Sequence, residues 1–194
     1  MGHDTTLTAD STPRLSGDLA VWFFILAELL AFGVFFAAYA FARMRHRELF
    51  DAGQALLDRN TGALNTILLL SGSALVVRAV QGNQRGEGRR SARWMLGAMA
   101  CGLLFVGLKA SEYAAAFAAG ISLSSSLFHM FYLSLTFFHF MHVILGLVVL
   151  AVLWQGLRQD RYRQDANPLE SGAAYWHMVD LVWLILFPLV YVIH

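Results

Sequence analysis

Five stretches of this sequence, near residues 19–42, 62–81, 94–117, 127–155 and 171–193, are each apolar for roughly the 20 residues that a helix needs to cross about 30 Å of hydrocarbon. A chain with that pattern must satisfy its backbone polar groups inside lipid, so the expected fold class is all-α: an integral membrane bundle of five transmembrane helices. Composition agrees, with 58% hydrophobic and 14% charged residues. No segment remains for a soluble domain, so residues 19–194 are read as a single transmembrane domain behind a polar tail, 1–18. The net charge of +1 gives no case for nucleic acid. The lone Cys101 excludes an intramolecular disulfide.

The short connections carry the arginines. Nine Lys or Arg residues fall on the side of the tail, the 82–93 loop and the 156–170 loop, against four on the other side. The positive-inside rule then predicts a cytoplasmic N-terminus and a periplasmic C-terminus. Segment 82–90 reads as a flexible loop, "NPLESG" (167–172) as the cap of the last helix, and Pro188 as a bend near its end. Trp22, Trp94, Trp154 and Trp176, near span ends, read as interface anchors. The small residues at 71–74, with Gly33 and Gly97, allow helices to approach closely.

Ionisable groups in the spans are few: Glu28, Lys109, Glu112, His139, His142, His177 and Asp180. Counting 1.5 Å per residue places Glu28, His142, His177 and Asp180 in one half of the bilayer, where they are expected to form one polar seam. Two readings fit His139, His142, His177 and Asp180. As donors on two facing helices they could hold a metal or haem, or they could form a hydrogen-bonded helix interface. For Glu28 the alternatives are a protonated, hydrogen-bonded carboxyl and a proton or lipid-headgroup site. Lys109, Glu112 and Tyr113 form a second, outer cluster, read as a neutralising ion pair at the interface. Glu28 and Asp180 also fit the proton relay of a transporter, and the histidines fit the axial ligands of a small membrane haem protein.

Several motifs carry a resemblance. "GDLAVWFFILAELLAFGVFFAAYAFAR" (17–43), "ALNTILLLSGSALVVRAV" (63–80) and "GLKASEY" (107–113) are joined by His-x-x-His-Val-x-x-Gly (139–146) and Trp-His-x-Val-Asp-x-Val-Trp (176–183). In this order, and over nearly the whole chain, they resemble subunit III of the haem-copper oxidases. Five helices rather than seven resemble the shorter members of that family. Segment 49–66 is similar to the branch associated with bacterial nitric oxide reductase, with subunit III of a cytochrome c or quinol oxidase as the alternative. The resemblance implies an accessory subunit of the bacterial inner membrane that packs against a haem-carrying catalytic subunit. Such a subunit holds phospholipid, supports proton uptake and binds no haem or metal itself. It maps the family's buried glutamate onto Glu28 and its helix-packing polar residues onto His139, His142, His177 and Asp180. Phe140, where many members have glycine, departs from the pattern.

Overall fold

The computed structural model describes residues 19–193, so the expected tail, 1–18, lies outside the described residues. Five long helices run back and forth: α1 (Leu19–Arg45), α3 (Arg59–Gln84), α4 (Gly88–Ala118), α5 (Leu127–Arg158) and α6 (Asn167–Phe187). All five are long and apolar enough to span a membrane, α6 together with the π-helical turn Pro188–Val192 that continues it. The protein is thus an all-helical membrane bundle. A short helix, α2 (Arg47–Ala55), lies in the first connection, where the sequence shows only a polar link between spans.

The connections are tighter than expected. Of segment 82–90 only 85–87 is non-helical. Gly86 adopts φ +78° at the end of α3, with Glu87 N–H donating to Gly82 O at 2.9 Å and Gly86 N–H to Asn83 O at 2.9 Å. This is a Schellman cap, which needs a left-handed residue. Gly120, at φ +77°, closes α4 with the same pair of bonds from Ile121 to Ala116 and from Gly120 to Phe117. Helix starts are built from side chains. Asp58 accepts from Asn60 N–H and the Thr61 hydroxyl ahead of α3, which holds its carboxyl below the usual carboxylate range. Ser126 accepts from His129 N–H ahead of α5.

Helix α6 sits at the centre. Its Trp176, expected at the interface, is instead 1% exposed. The indole lies over three glycines from three helices: a Cβ on Gly72 (α3), Gly102 (α4) or Gly146 (α5) would come within 3.6, 2.9 or 3.0 Å of the ring. Backbone replaces side chain at each contact, and one of the two buried tryptophans of the core fills the space between. Gly33, expected to permit close approach, faces open space: a Cβ there would meet nothing within 4 Å.

Helix α1 is the most peripheral. Ile25, Phe32 and Tyr39, seven residues apart, form its one buried stripe, and aromatic contacts such as Phe32–Phe138 (5.0 Å) and Tyr39–Phe131 (6.0 Å) carry it across to α5.

Helix α2 closes one end of the bundle. Its Phe50, Gly53 and Gln54 are buried. Pro188 cannot continue the α-helical ladder, and the chain widens into the π-helical turn there. The Gln54 amide donates to the carbonyls of Val190 (2.9 Å) and Leu189 (3.3 Å) in that turn. Gln54→Leu removes both donors while keeping the volume. We expect it to destabilise the fold by about 1–3 kcal/mol and to speed amide exchange selectively over residues 189–193; unchanged exchange there would contradict this role.

Candidate functional site

The ionisable groups of the spans fall into three separate places, and the expected single seam of Glu28, His142, His177 and Asp180 does not form. Helix packing divides it: α1 meets α5 through one pair, and α3 meets α6 through the other.

In the first place His142 Nε2 lies 2.9 Å from Glu28 Oε2, with side chains 10% and 19% exposed. The other ring nitrogen, Nδ1, is 2.7 Å from the carbonyl of Phe138, one turn back. A carbonyl only accepts, so Nδ1 carries a proton. Nε2 and the carboxyl therefore share a single proton, as imidazole with carboxylic acid or as imidazolium with carboxylate. Phe32 and Phe138 pack edge-on against the imidazole at 5.3 and 4.6 Å. Glu28→Gln, whose amide can still donate to Nε2, should change stability by less than about 1 kcal/mol. A loss of several kcal/mol on unfolding the variant would reveal an ion pair instead.

In the second place the Ser73 hydroxyl is 2.5 Å from His177 Nδ1. Asp180, one turn along α6, sits beside the same hydroxyl. A serine from "SGSA" thus serves as the polar partner that was expected to be an acid or a second histidine.

His139 corrects the expectation of a polar pin. It is fully buried, and neither ring nitrogen makes a hydrogen bond among the described residues. Its ring packs as an aromatic plate against Trp183 (5.2 Å) and Phe105 (5.8 Å). Among the described residues no group of three or more His, Cys, Asp or Glu side chains is placed to hold a metal ion.

The third place is more enclosed than an interfacial ion pair. Lys109 is 0% exposed, with Nζ 3.0 Å from Glu112 Oε1 and 2.6 Å from the Tyr191 hydroxyl. A lysine ammonium only donates, so the Tyr191 hydroxyl accepts from it and donates its own O–H to Glu112 Oε1 at 2.9 Å. The Tyr132 hydroxyl donates to the same oxygen. The rings of Tyr113, Tyr132, Tyr191 and Trp183 surround Nζ at 5.2, 5.2, 5.4 and 5.8 Å from their centroids. This aromatic cage offers the charge its quadrupoles. Tyr132 from α5 and Tyr191 and Trp183 from the last span join this cluster, for which the sequence predicts only Lys109, Glu112 and Tyr113.

Between α1 and the α5–α6 pair runs an apolar groove of about 720 Å³, lined among others by Phe24, Val149 and Tyr175 and reaching polar Asn167 and Ser171 at one end.

The family model described as cytochrome c oxidase subunit III matches residues 4–194. Cytochrome c oxidase subunit 3 of Thermostichus vulcanus is 30% identical over 177 residues, covering 90% of this chain and 86% of that protein. Cytochrome c oxidase subunit 3 of Synechocystis is 30% identical over 172 residues, 88% of this chain and 72% of that one. The haem-copper oxidase subunit I+III of Aeropyrum pernix is 31% identical over 181 residues, 90% of this chain but 22% of that longer polypeptide.

Proposed function

This chain belongs to the cytochrome c oxidase subunit III family, and we propose that it serves as the non-catalytic accessory subunit of a respiratory haem-copper complex. The observation that carries the reading is the near full-length match to subunit III proteins, and the geometry fits it. The acids of the spans are matched by partners within the chain, Glu28 by His142, Asp180 by Ser73 and Glu112 by Lys109. An arrangement of this kind suits a scaffold rather than a redox centre.

The partner is a catalytic membrane subunit carrying the haem, and the Aeropyrum relative, whose name joins subunits I and III, supports that pairing. The chain itself holds no haem or metal. Phospholipid occupies the groove between α1 and α5–α6. The nine-to-four bias of basic residues supports an N-terminus in the cytoplasm and a C-terminus in the periplasm of a bacterial inner membrane. The relatives named above favour oxygen as the acceptor of the complex. Nitric oxide is the second reading, carried by the similarity of segment 49–66 to the nitric oxide reductase-associated branch.

Deleting this chain tests the proposal. The complex assembled without it should keep its initial turnover per haem yet inactivate sooner during sustained turnover. Assays with oxygen and with nitric oxide identify the acceptor. Loss of initial turnover from an otherwise intact complex would overturn the accessory role.

A further inference from the structure

A second groove opens on the other side of α5, away from the one beside α1. It lies between the start of α4 and the end of α5, has a volume of about 410 Å³, and is lined by Arg89, Ala92, Arg93, Leu96, Trp154 and Arg158. Arg89 and Arg93 are one turn apart, so their side chains leave α4 on one face about 5–6 Å apart. Arg158 comes in from the last turn of α5, its guanidinium 5.0 Å over the Trp154 ring. None of the three makes an ion pair among the described residues. Glu87 pairs with Arg90 at 3.2 Å, and the Asp160 carboxylate lies against Gly88 without an ion pair among the described residues. Three arginines that line one groove and make no ion pair within the chain offer an anion charge-assisted hydrogen bonds.

Depth and floor narrow the class of anion. Helix α5, with 32 residues, is about 48 Å long and overruns the hydrocarbon, so its last turn stands at headgroup level. Below the arginines the floor is apolar. Leu96 is 50% exposed, and Leu103 and Leu104, two turns further along α4, are 59% and 58% exposed. A cationic rim over a continuous apolar strip matches a ligand that is anionic at one end and a hydrocarbon chain at the other.

We infer that the Arg89–Arg93–Arg158 groove between α4 and α5 is a binding site for the phosphate of an anionic phospholipid. The guanidinium forks take the phosphate oxygens, Trp154 packs at the glycerol level, and one acyl chain follows Leu96 toward Leu103. The site depends on neither the partner subunit nor the electron acceptor, so it stands or falls separately from the proposed function.

The test uses the purified full-length chain in zwitterionic detergent, titrated with phosphatidylglycerol, with phosphatidylcholine, and with inorganic phosphate. Native mass spectrometry counts the retained lipid and thermal unfolding reads its effect. Phosphatidylglycerol should be retained and should raise the melting temperature, whereas phosphatidylcholine and inorganic phosphate should do neither at equal concentration. Each arginine near a membrane surface contributes roughly fivefold to anionic-lipid affinity, so replacing all three by Gln should weaken retention roughly a hundredfold. Arg45→Gln, at the opposite end of the bundle, should leave it unchanged. If the triple variant fails to fold, the single Arg93→Gln should still bind roughly fivefold more weakly. Equal retention of phosphatidylcholine, an equal shift from inorganic phosphate alone, or undiminished binding in Arg93→Gln would each overturn the site.

Discussion

Replacing Lys109 by Met should cost the fold about 3–5 kcal/mol, and replacing Glu112 by Leu in the same chain should recover most of that loss. The reasoning starts from the Lys109 ammonium, which is fully enclosed and has its charge answered by Glu112 at 3.0 Å. Removing the cation leaves a carboxylate that still accepts from Tyr132 and Tyr191 but no longer has a counter-charge in a low-dielectric surrounding. Removing both charges leaves two tyrosine hydroxyls to satisfy, a smaller penalty. Trp183 lies 5.8 Å from Nζ and is one of five tryptophans, so intrinsic fluorescence followed through detergent-mediated unfolding includes a reporter beside the pair. A double variant that loses as much stability as the two single variants added together would show that the pair is not coupled, contrary to the geometry.

The other large effect concerns the seat of Trp176. Gly102→Val should destabilise by about 3 kcal/mol or more, at or above the usual range for overpacking a core. A Cβ at residue 102 meets Leu147 Cδ2 at 2.7 Å and Trp176 Cη2 at 2.9 Å, and the indole cannot retreat because Gly72 and Gly146 already close its other sides. Trp176→Ala should cost about 3–5 kcal/mol through the cavity it leaves. Combining Gly102→Val with Trp176→Leu should lose less than the sum of the two, since the smaller side chain makes room for the valine. Gly107→Val is the control: nothing lies within 4 Å of a Cβ there, so its change should stay within about 0.5 kcal/mol. An equal loss at both glycines would mean that the indole is not locked.

These cases show what a single sequence exposes. Hydrocarbon thickness acts on each span separately, so five apolar runs translate directly into α1, α3, α4, α5 and α6. The Lys109–Glu112 contact was equally legible, because residues three apart on a helix share a face. What α5 and α6 bring to that pair, Tyr132 and Tyr191, depends on rotation and depth between helices, which periodicity does not fix. The same limit explains why Glu28 and His142 came together while His177 found Ser73. It also explains Trp176: a tryptophan near a span end looks like an anchor, and only the glycines facing it from three other helices reveal the core. Helix α2 escaped notice because Arg47, Glu48 and Asp51 mask the inward triplet of Phe50, Gly53 and Gln54 in a nine-residue segment. His139 shows that a polar residue type does not guarantee a polar role, since here the ring's shape against Trp183 and Phe105 governs its packing.

The most direct measurement is an optical spectrum taken on two samples: the tagged chain isolated with whatever large subunit accompanies it from native membranes, and the same chain isolated alone. Serving as an accessory subunit predicts haem absorption in the first sample, carried by the co-purifying subunit, and none in the second. A haem band from the isolated chain that disappears in His142→Ala, or recovery without any haem protein, would contradict it.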